Sequence, residues 1–448
     1  MRIQVVLWGE TVGYLKQGEG GQIAFQYTPK WLSYGIELSP IRMPLSLQPY
    51  SFPDLIGTKT FAGLPGLIAD ALPEKFGNSL LKTYLAEKGR SFEDLTPLER
   101  LSYLGNRGMG ALEFRPDNGK SNLDNPQGQG YPLPTLDIEI LAAIADEVLH
   151  VKKGLKVQLD SESLESLVQI GTSAGGAKAK AVIGWNRETN SVVAGQSDLP
   201  QGYEHWLLKF DAIDNEEHAT SKNIGRIEYA YALMASDGCG IDMNECRLFE
   251  TPSAAHFMTK RFDRDNNAKF HVQSFAGLDH ADRDPVGQYG YEELFLAMKK
   301  MGLPQSDLTE MYRRMVFNII ARNQDDHTKN HAFIMDASGE WRLSPAFDLC
   351  FSYKVGNPYI EQHQMRCNNK RTDFTRDDVL SAASVAGVKR PGEIIDEVCR
   401  GVQKWSDFAD RAGLPEPHAR EIQSHFRVSL GEPDPLNTVY VKKPKLDL

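Results

Sequence analysis

Asn323-Gln324-Asp325-Asp326-His327-Thr328-Lys329-Asn330, followed by Leu343-Ser344-Pro345-Ala346-Phe347-Asp348-Leu349, is the stretch on which the reading of this chain turns. Asp325 and Asn330 stand five positions apart, and Asp348 follows a strand-like Trp341-Arg342-Leu343. A carboxylate at Asp325 can accept the hydrogen bond of a hydroxyl and aim it at the γ-phosphate of ATP, taking its proton late. Asn330 and Asp348 supply an amide oxygen and a carboxylate, hard donors suited to Mg²⁺. Asp325 is therefore the expected catalytic residue, and Asn330 and Asp348 are the expected metal ligands. Lys329 can offset charge on the transferring group. Asp and Asn are also common in turns and helix caps, so the spacing alone does not decide. Asp348 and a glycine-rich loop upstream tip the balance toward phosphoryl transfer. Asp326 lies only four positions from Asn330 and takes the lesser role. His327 and His331 lack the HExxH setting of a zinc pair and read as loop packing, with His327 placed on the nucleotide side.

The upstream loop runs Gly171-Thr172-Ser173-Ala174-Gly175-Gly176-Ala177-Lys178-Ala179-Lys180. Small residues let backbone N–H groups approach phosphate oxygens, and Ser173, Ala174, Gly175, Gly176 and Ala177 are the expected contacts. The loop is neither a Walker A sequence nor a GxGxxG, and an ordinary glycine turn fits it equally well by itself. A phosphate on Ser173 would add about two negative charges and displace the loop from a nucleotide. Lys209 lies in the apolar run Trp206-Leu207-Leu208-Lys209-Phe210, where an ammonium needs a partner. That partner is either an ATP phosphate or, if the side chain faces outward, water. Glu228 on the next helix is a further candidate. Arg261-Phe262-Asp263-Arg264 reads as the end of a strand leading between two lobes, where backbone groups of Arg261 and Phe262 would meet the adenine of the nucleotide. A plain strand-to-turn transition is the alternative.

The order of elements supports an α+β chain with a two-lobed, protein-kinase-like fold. Residues 1–115 read as a small N-terminal α/β subdomain. Strands are expected at Ile3–Trp8, Ile23–Tyr27 and Gly108–Phe114, and helical segments at Leu67–Leu72 and Phe76–Leu81. Residues 116–135 are polar and Pro-containing and read as a linker or loop. Residues 136–288 carry a helix over Leu136–Lys153, the glycine loop, the lysine strand, the Ile227–Ser236 helix and a strand at Phe257–Asp263, in the order of a kinase N-lobe. Residues 289–430 read as a mostly helical C-lobe with the catalytic and metal motifs, and 431–448 as a mobile tail. Protein kinases place a catalytic Asp and a metal-binding Asn at the same separation, with a metal-binding Asp downstream.

The 448 residues exceed one compact core and suggest about two to three domains. A formal charge of −10 argues against a protein that coats nucleic acid unaided, because such binding neutralises phosphates. Five cysteines with no CxxC pair point to reduced thiols. No apolar run approaches the roughly 18 residues of a membrane span, and an acid follows Met1 too early for a signal peptide. A cytoplasmic protein without membrane association is expected.

Taken together these residues resemble the HipA family of bacterial toxin kinases, over most of the chain. Trp8-Gly9-Glu10-Thr11-Val12-Gly13 and the Asn106–Phe114 segment are similar to its N-terminal subdomain, and Ser173–Lys180 to its phosphate loop. Arg261-Phe262-Asp263-Arg264 resembles its ERFDR-type strand end, with Lys260 where an acid is usual. Asp325–Asn330 resembles its D-x-H-x-K-N motif, and Pro345-Ala346-Phe347-Asp348 its P-x-[YF]-D. The resemblance implies a serine/threonine protein kinase using ATP and Mg²⁺, with Lys180 and Lys209 on phosphates. It implies autophosphorylation of Ser173 as self-inhibition. It also implies a HipB-like helix-turn-helix antitoxin, operator DNA bound through that complex, and glutamyl-tRNA synthetase as the substrate type. Gly175, Lys178-Ala179 and Asp326 depart from the family pattern without removing a catalytic group. Two rivals use the same residues: a pseudokinase that mainly holds an antitoxin on DNA, and a small-molecule kinase.

Overall fold

The computed structural model describes residues 1–117, 135–151, 161–171, 176, 178–211 and 223–430. Ser173, Ala174, Gly175 and Ala177, most of the expected linker and the tail from 431 lie outside the described residues. The chain divides into two compact units. The first comprises Met1–Tyr229, Asn244–Asp284 and Thr328–Phe347; the second comprises Ala230–Met243, Pro285–His327 and Asp348–Leu448. The division falls inside both acidic motifs, between His327 and Thr328 and between Phe347 and Asp348. One break, between Asp284 and Pro285, lies close to the expected boundary at 288, and none falls at 115.

The first unit opens with strands β1 (Arg2–Leu7), β2 (Glu10–Gln17), β3 (Ile23–Tyr27), β4 (Tyr50–Ser51) and β5 (Leu112–Pro116). They form an antiparallel sheet in the order β4-β3-β2-β1-β5. The two-residue connection Trp8-Gly9 has φ of 49° and 81°, the left-handed pair that matches strand twist in a tight hairpin. Alternate residues Ile3, Val5 and Leu7 join Phe25, Trp31 and Phe114 in one core. Helices α1 (Pro29–Tyr34), α2 (Gly66–Ala69), α3 (Lys75–Glu87) and α4 (Pro97–Leu104) follow in this region. Thr96 and Glu99 form a capping box at the start of α4, with Pro97 in its first turn.

The second sheet contains β6 (Lys180–Asn186), β7 (Val192–Ala194), β8 (Tyr203–Lys209), β9 (Cys246–Glu250) and β10 (Ala255–Lys260), in the order β7-β6-β8-β10-β9. Strand β6 is buried from Lys180 to Trp185. Its core is shared with α3, α5 (Ile138–Val151) and α6 (Ser161–Gly171) through Leu80, Leu141, Leu164, Leu167 and Ile183. Leu167–Ile170 thus ends a helix. Helix α7 (Ile224–Leu233) follows this sheet's lysine strand. A two-residue ribbon, β11 (Arg264–Asp265) with β12 (Ala268–Lys269), leads to β13 (His271–Ser274) and α8 (Phe275–Asp279). Strands β14 (Ala332–Met335) and β15 (Trp341–Leu343) pair antiparallel with β13 in the order β13-β14-β15. All four residues of β14 are buried, which places Thr328–Phe347 in the first unit although it falls within the expected helical lobe.

The second unit is helical, with α9 (Tyr291–Lys300), α10 (Gln305–Ile320), α11 (Arg376–Ala386), α12 (Pro391–Gln403), α13 (Trp405–Arg411) and α14 (Glu416–Gln423). In this unit the segments 321–327 and 348–375, between α10 and α11, are irregular, and buried polar groups hold them. Arg322 donates to the His425 carbonyl at 2.8 Å, with its guanidinium 4.5 Å from the centre of the Tyr353 ring. The Gln324 backbone N–H donates to the Ser352 carbonyl at 3.2 Å, and its side chain to the Ile360 carbonyl at 2.9 Å. These bonds satisfy groups that would otherwise be buried unpaired.

In the first unit, α2 and α8 meet at two glycines. A Cβ on Gly66 would lie 2.1 Å from the Gly277 carbonyl oxygen, and one on Gly277 would lie 2.3 Å from Asp70 Oδ2. Only hydrogen fits at both points. Gly66→Ala is expected to destabilise the protein by about 1–3 kcal/mol, through overpacking against fixed backbone. A lowered urea midpoint at unchanged slope is the expected measurement; an unchanged midpoint would show that the contact is loose.

Candidate active site

In the first unit the lysine strand carries more charge than its sequence suggests. Lys180 opens β6 and Lys209 closes β8, and the register sets them directly opposite each other. Opposed residues on antiparallel neighbours share a face, and like charges there repel. Both lysines are buried. Glu228 on α7 is itself buried, and its Oε1 forms an ion pair with Lys209. Lys178 Nζ lies 4.0 Å from the other carboxylate oxygen. A Cβ on Gly176 would come within 2.5 Å of Lys180 Nζ, so the glycine backbone passes close over that ammonium. Gly176 has φ 104°, which disfavours other residues. Three ammonium groups gathered beside glycine backbone are chemistry suited to a polyanion.

The motif segment Thr328–Asn330 is a single 3₁₀ turn in this same unit. The Thr328 hydroxyl donates to the Ala281 carbonyl at 2.7 Å, and the buried His331 accepts the Phe275 N–H on its carbonyl at 2.7 Å. Lys329 Nζ lies 2.7 Å from Glu74, which also has Arg283 at 3.4 Å. Asp70 accepts from the Ser274 N–H and hydroxyl. Burial pushes its carboxyl upward against the opposing pull of Lys329 and Ser274. Asn330 is half-buried.

The Arg261 guanidinium turns inward onto Asp263. Its Nε and Nη2 donate to the two carboxylate oxygens at 2.8 and 2.7 Å. Arg264 Nη1 adds a third bond at 2.6 Å, and the Gly110 N–H a fourth at 2.6 Å. A carboxylate in the interior requires such partners, and here they claim the Arg261 side chain. Burial alone would raise the Asp263 carboxyl; the two guanidinium groups outweigh it and hold it well below the usual range. Phe262 is half-buried, its ring centre 5.6 Å from that of Phe347.

In the second unit the two adjacent carboxylates separate in role. Asp326 is buried. Its Oδ2 accepts from the Tyr291 hydroxyl at 2.7 Å and from His363 Nδ1 at 2.8 Å, and its Oδ1 accepts from the Gln364 N–H at 2.8 Å. Asp326 is thereby a structural anchor. Asp325 is half-buried, and Gln364 Nε2 donates to its Oδ1 at 2.5 Å. Asp348 is half-buried with φ 57°, a left-handed conformation that Asp tolerates and that often marks functional positions. His327 is half-buried in this unit, while His331 belongs to the other. Among the described residues no group of three His, Cys, Asp or Glu forms a metal cage. Asn330 and Asp348 each carry an oxygen donor of the hard kind that Mg²⁺ takes.

Glu74, His363 and Gln364 carry no sequence signal. Glu74 precedes a helix far from the motif it contacts. His363 and Gln364 lie in the irregular run Gln362-His363-Gln364-Met365, which has neither periodicity nor a motif.

Asp263→Asn would leave two buried guanidinium groups without their carboxylate, and is expected to cost about 3–5 kcal/mol at pH 7. The folded carboxyl is depressed, so its contribution is complete above the unfolded value near pH ~4 and is lost as pH falls through the folded one. The difference between wild type and variant in chemical denaturation should stay constant from neutral pH down to about 5, then narrow in stronger acid. A gap that widens in acid would contradict the charge assignment.

Comparison with known proteins agrees with this organisation. The HipA-like C-terminal domain model matches residues 172–427, more than half of the chain, and the HipA N-terminal domain model matches residues 3–115. Y4dM of Sinorhizobium fredii, a protein named provisionally as a kinase, is 30% identical over 163 residues. That match covers 35% of this chain and 39% of Y4dM. A structure of HipA with HipB and operator DNA, from the Shewanella oneidensis MR-1 toxin–antitoxin system, matches with a TM-score of 0.61 and 17% identity over 94% of each chain, a likeness of fold. With both domain models matched in order along its length, the chain belongs to the HipA family.

Proposed function

We propose that this protein is an ATP-dependent serine/threonine protein kinase acting as the toxin of a HipA–HipB type toxin–antitoxin pair. The observation that carries the proposal is the cross-strand pair of buried lysines, Lys180 and Lys209, with Glu228 engaging Lys209 and Gly176 lying over Lys180. Two like charges held in register inside a sheet are a poor way to stabilise a fold and a good way to grip a triphosphate. The phosphate loop around Ser173–Ala177 would complete that grip, and Arg261 would serve by fixing the end of β10 through Asp263.

In the reaction, Asp325 orients the acceptor hydroxyl. The hydroxyl oxygen bonds to the γ-phosphorus as the bond to the bridging oxygen breaks; ADP leaves with that electron pair, and the hydroxyl proton passes to Asp325. Lys329 neutralises charge on the transferring group once it exchanges Glu74 for phosphate. Asn330 and Asp348 would hold Mg²⁺, which when bound would supply positive charge against the phosphates. Ser173 is the proposed autophosphorylation site, a modification that would expel the loop from the lysines. A HipB-like antitoxin and operator DNA are the proposed partners, supported by the fold shared with the HipA of that complex. Glutamyl-tRNA synthetase is the proposed type of protein substrate, on family resemblance.

Purified protein should transfer the γ-phosphate of Mg-ATP to protein hydroxyls, and Asp325→Ala or Asp348→Ala should each lower the rate about 100-fold or more. Full activity in either variant would remove that residue from its role. Label on a metabolite with none on protein would favour a small-molecule kinase. After incubation with Mg-ATP, mass spectrometry should find one phosphate on Ser173; its persistent absence would end the self-inhibition assignment.

A further inference from the structure

We propose that Gln364 is the positioning residue for Asp325, and that its own backbone is set by a buried hydrogen-bond chain running Arg427–His363–Asp326. This inference rests on the kinase reading of Asp325 and adds to it the group that aims the carboxylate.

Gln364 is 7% exposed, and it touches both acids of the Asp325-Asp326 pair. Its side-chain amide donates to Asp325 Oδ1, and its backbone N–H donates to Asp326 Oδ1. An ionised carboxylate only accepts, so the amide nitrogen, not its oxygen, faces Asp325. One short side chain therefore ties the half-buried acid to the buried one. A carboxylate on an irregular loop has free rotation about χ1 and χ2 unless something restrains it, and catalysis by orientation is sensitive to displacements of about 1 Å. Gln364 supplies that restraint without changing the charge of the site, because its amide is neutral.

The restraint holds only if Gln364 is itself fixed. His363 is wholly buried, and its two ring nitrogens have partners of opposite kind. Nδ1 lies 2.8 Å from Asp326 Oδ2, which accepts; Nε2 lies 3.2 Å from Arg427 Nη1, which donates. Both neighbours specify the same neutral Nδ1–H tautomer. Burial, the largest influence on this imidazole, also lowers its pKa and favours the neutral form. Arg427 in turn is fastened by its backbone N–H to the Ile320 carbonyl at the end of α10, 2.9 Å away. Tyr291 on α9 donates to Asp326 and accepts from Asn318 of α10 at 3.0 Å. The chain thus connects two helices and the segment after α14 to the residue that holds Asp325, all within one unit.

The test uses full-length protein turning over Mg-ATP with water as acceptor, with active molecules counted by Mg-ATP binding stoichiometry. Gln364→Met keeps the length and removes the donor; Gln364→Glu keeps the shape and replaces the donor with an acceptor. Each should lower kcat about 10-fold or more with KM for ATP changed less than about 2-fold, the split expected of lost orientation. His363→Asn retains an N–H at the δ position and should keep more of kcat than His363→Ala. A residue that only stabilises the fold would alter the count of active molecules and leave kcat per molecule unchanged. Wild-type kcat in both Gln364 variants, with Asp325→Ala inactive, would overturn the positioning role alone. Failure of both Gln364 variants to fold would overturn it as well, by making Gln364 a folding residue. Absence of any Asp325-dependent turnover in the wild type would overturn the kinase reading first, and this inference with it.

Discussion

Two ammonium groups set opposite one another inside a sheet cannot be left without counter-charge. That constraint shapes the first unit. Lys180 and Lys209 share a face of β6 and β8, β6 is buried along most of its length, and the carboxylate of Glu228 is drawn from α7 to meet Lys209. The arrangement costs more than an apolar strand end would, because desolvating charge is expensive even when it is paired. A fold keeps such an arrangement where a ligand offsets the cost, and on the proposed reading that ligand is a nucleotide polyphosphate.

The buried carboxylates show how the same physics serves different ends. Asp263 is encased by Arg261, Arg264 and a backbone N–H, and it fixes the end of β10. Asp326 is encased by Tyr291, His363 and the Gln364 N–H, and it fixes an irregular loop that has no ladder of its own. Asp325 and Asp348 are half-buried, the exposure expected of groups that must meet a ligand. Adjacent residues 325 and 326 carry the same side chain, but differ in burial and in hydrogen-bond partners.

Much of this was legible in the chain, and for identifiable reasons. Apolar runs marked β1, β3 and β8, and helical periodicity marked α5 and α7. The D-x-H-x-K-N spacing and the downstream Asp348 are the sequence basis of the proposed chemistry, because metal and hydroxyl geometry constrain spacing directly. Thr328–Phe347 fell within the expected helical lobe because strand pairing with β13 is set some 60 residues earlier in the chain. A sequence shows the charge of Arg261, and not that Asp263 claims its guanidinium. Gln364 and Glu74 carry no pattern at all; they act through contacts with residues distant in the chain.

If the buried lysine pair is a nucleotide phosphate site, removing one ammonium must weaken the hold on ATP. Isothermal titration of Mg-ATP into wild type and Lys209→Met measures this. One saturable site is predicted in the wild type, weakened about 10-fold or more in the variant, as expected for a lost charge-assisted contact. Equal affinity in the two proteins, or no binding to the wild type, would contradict it.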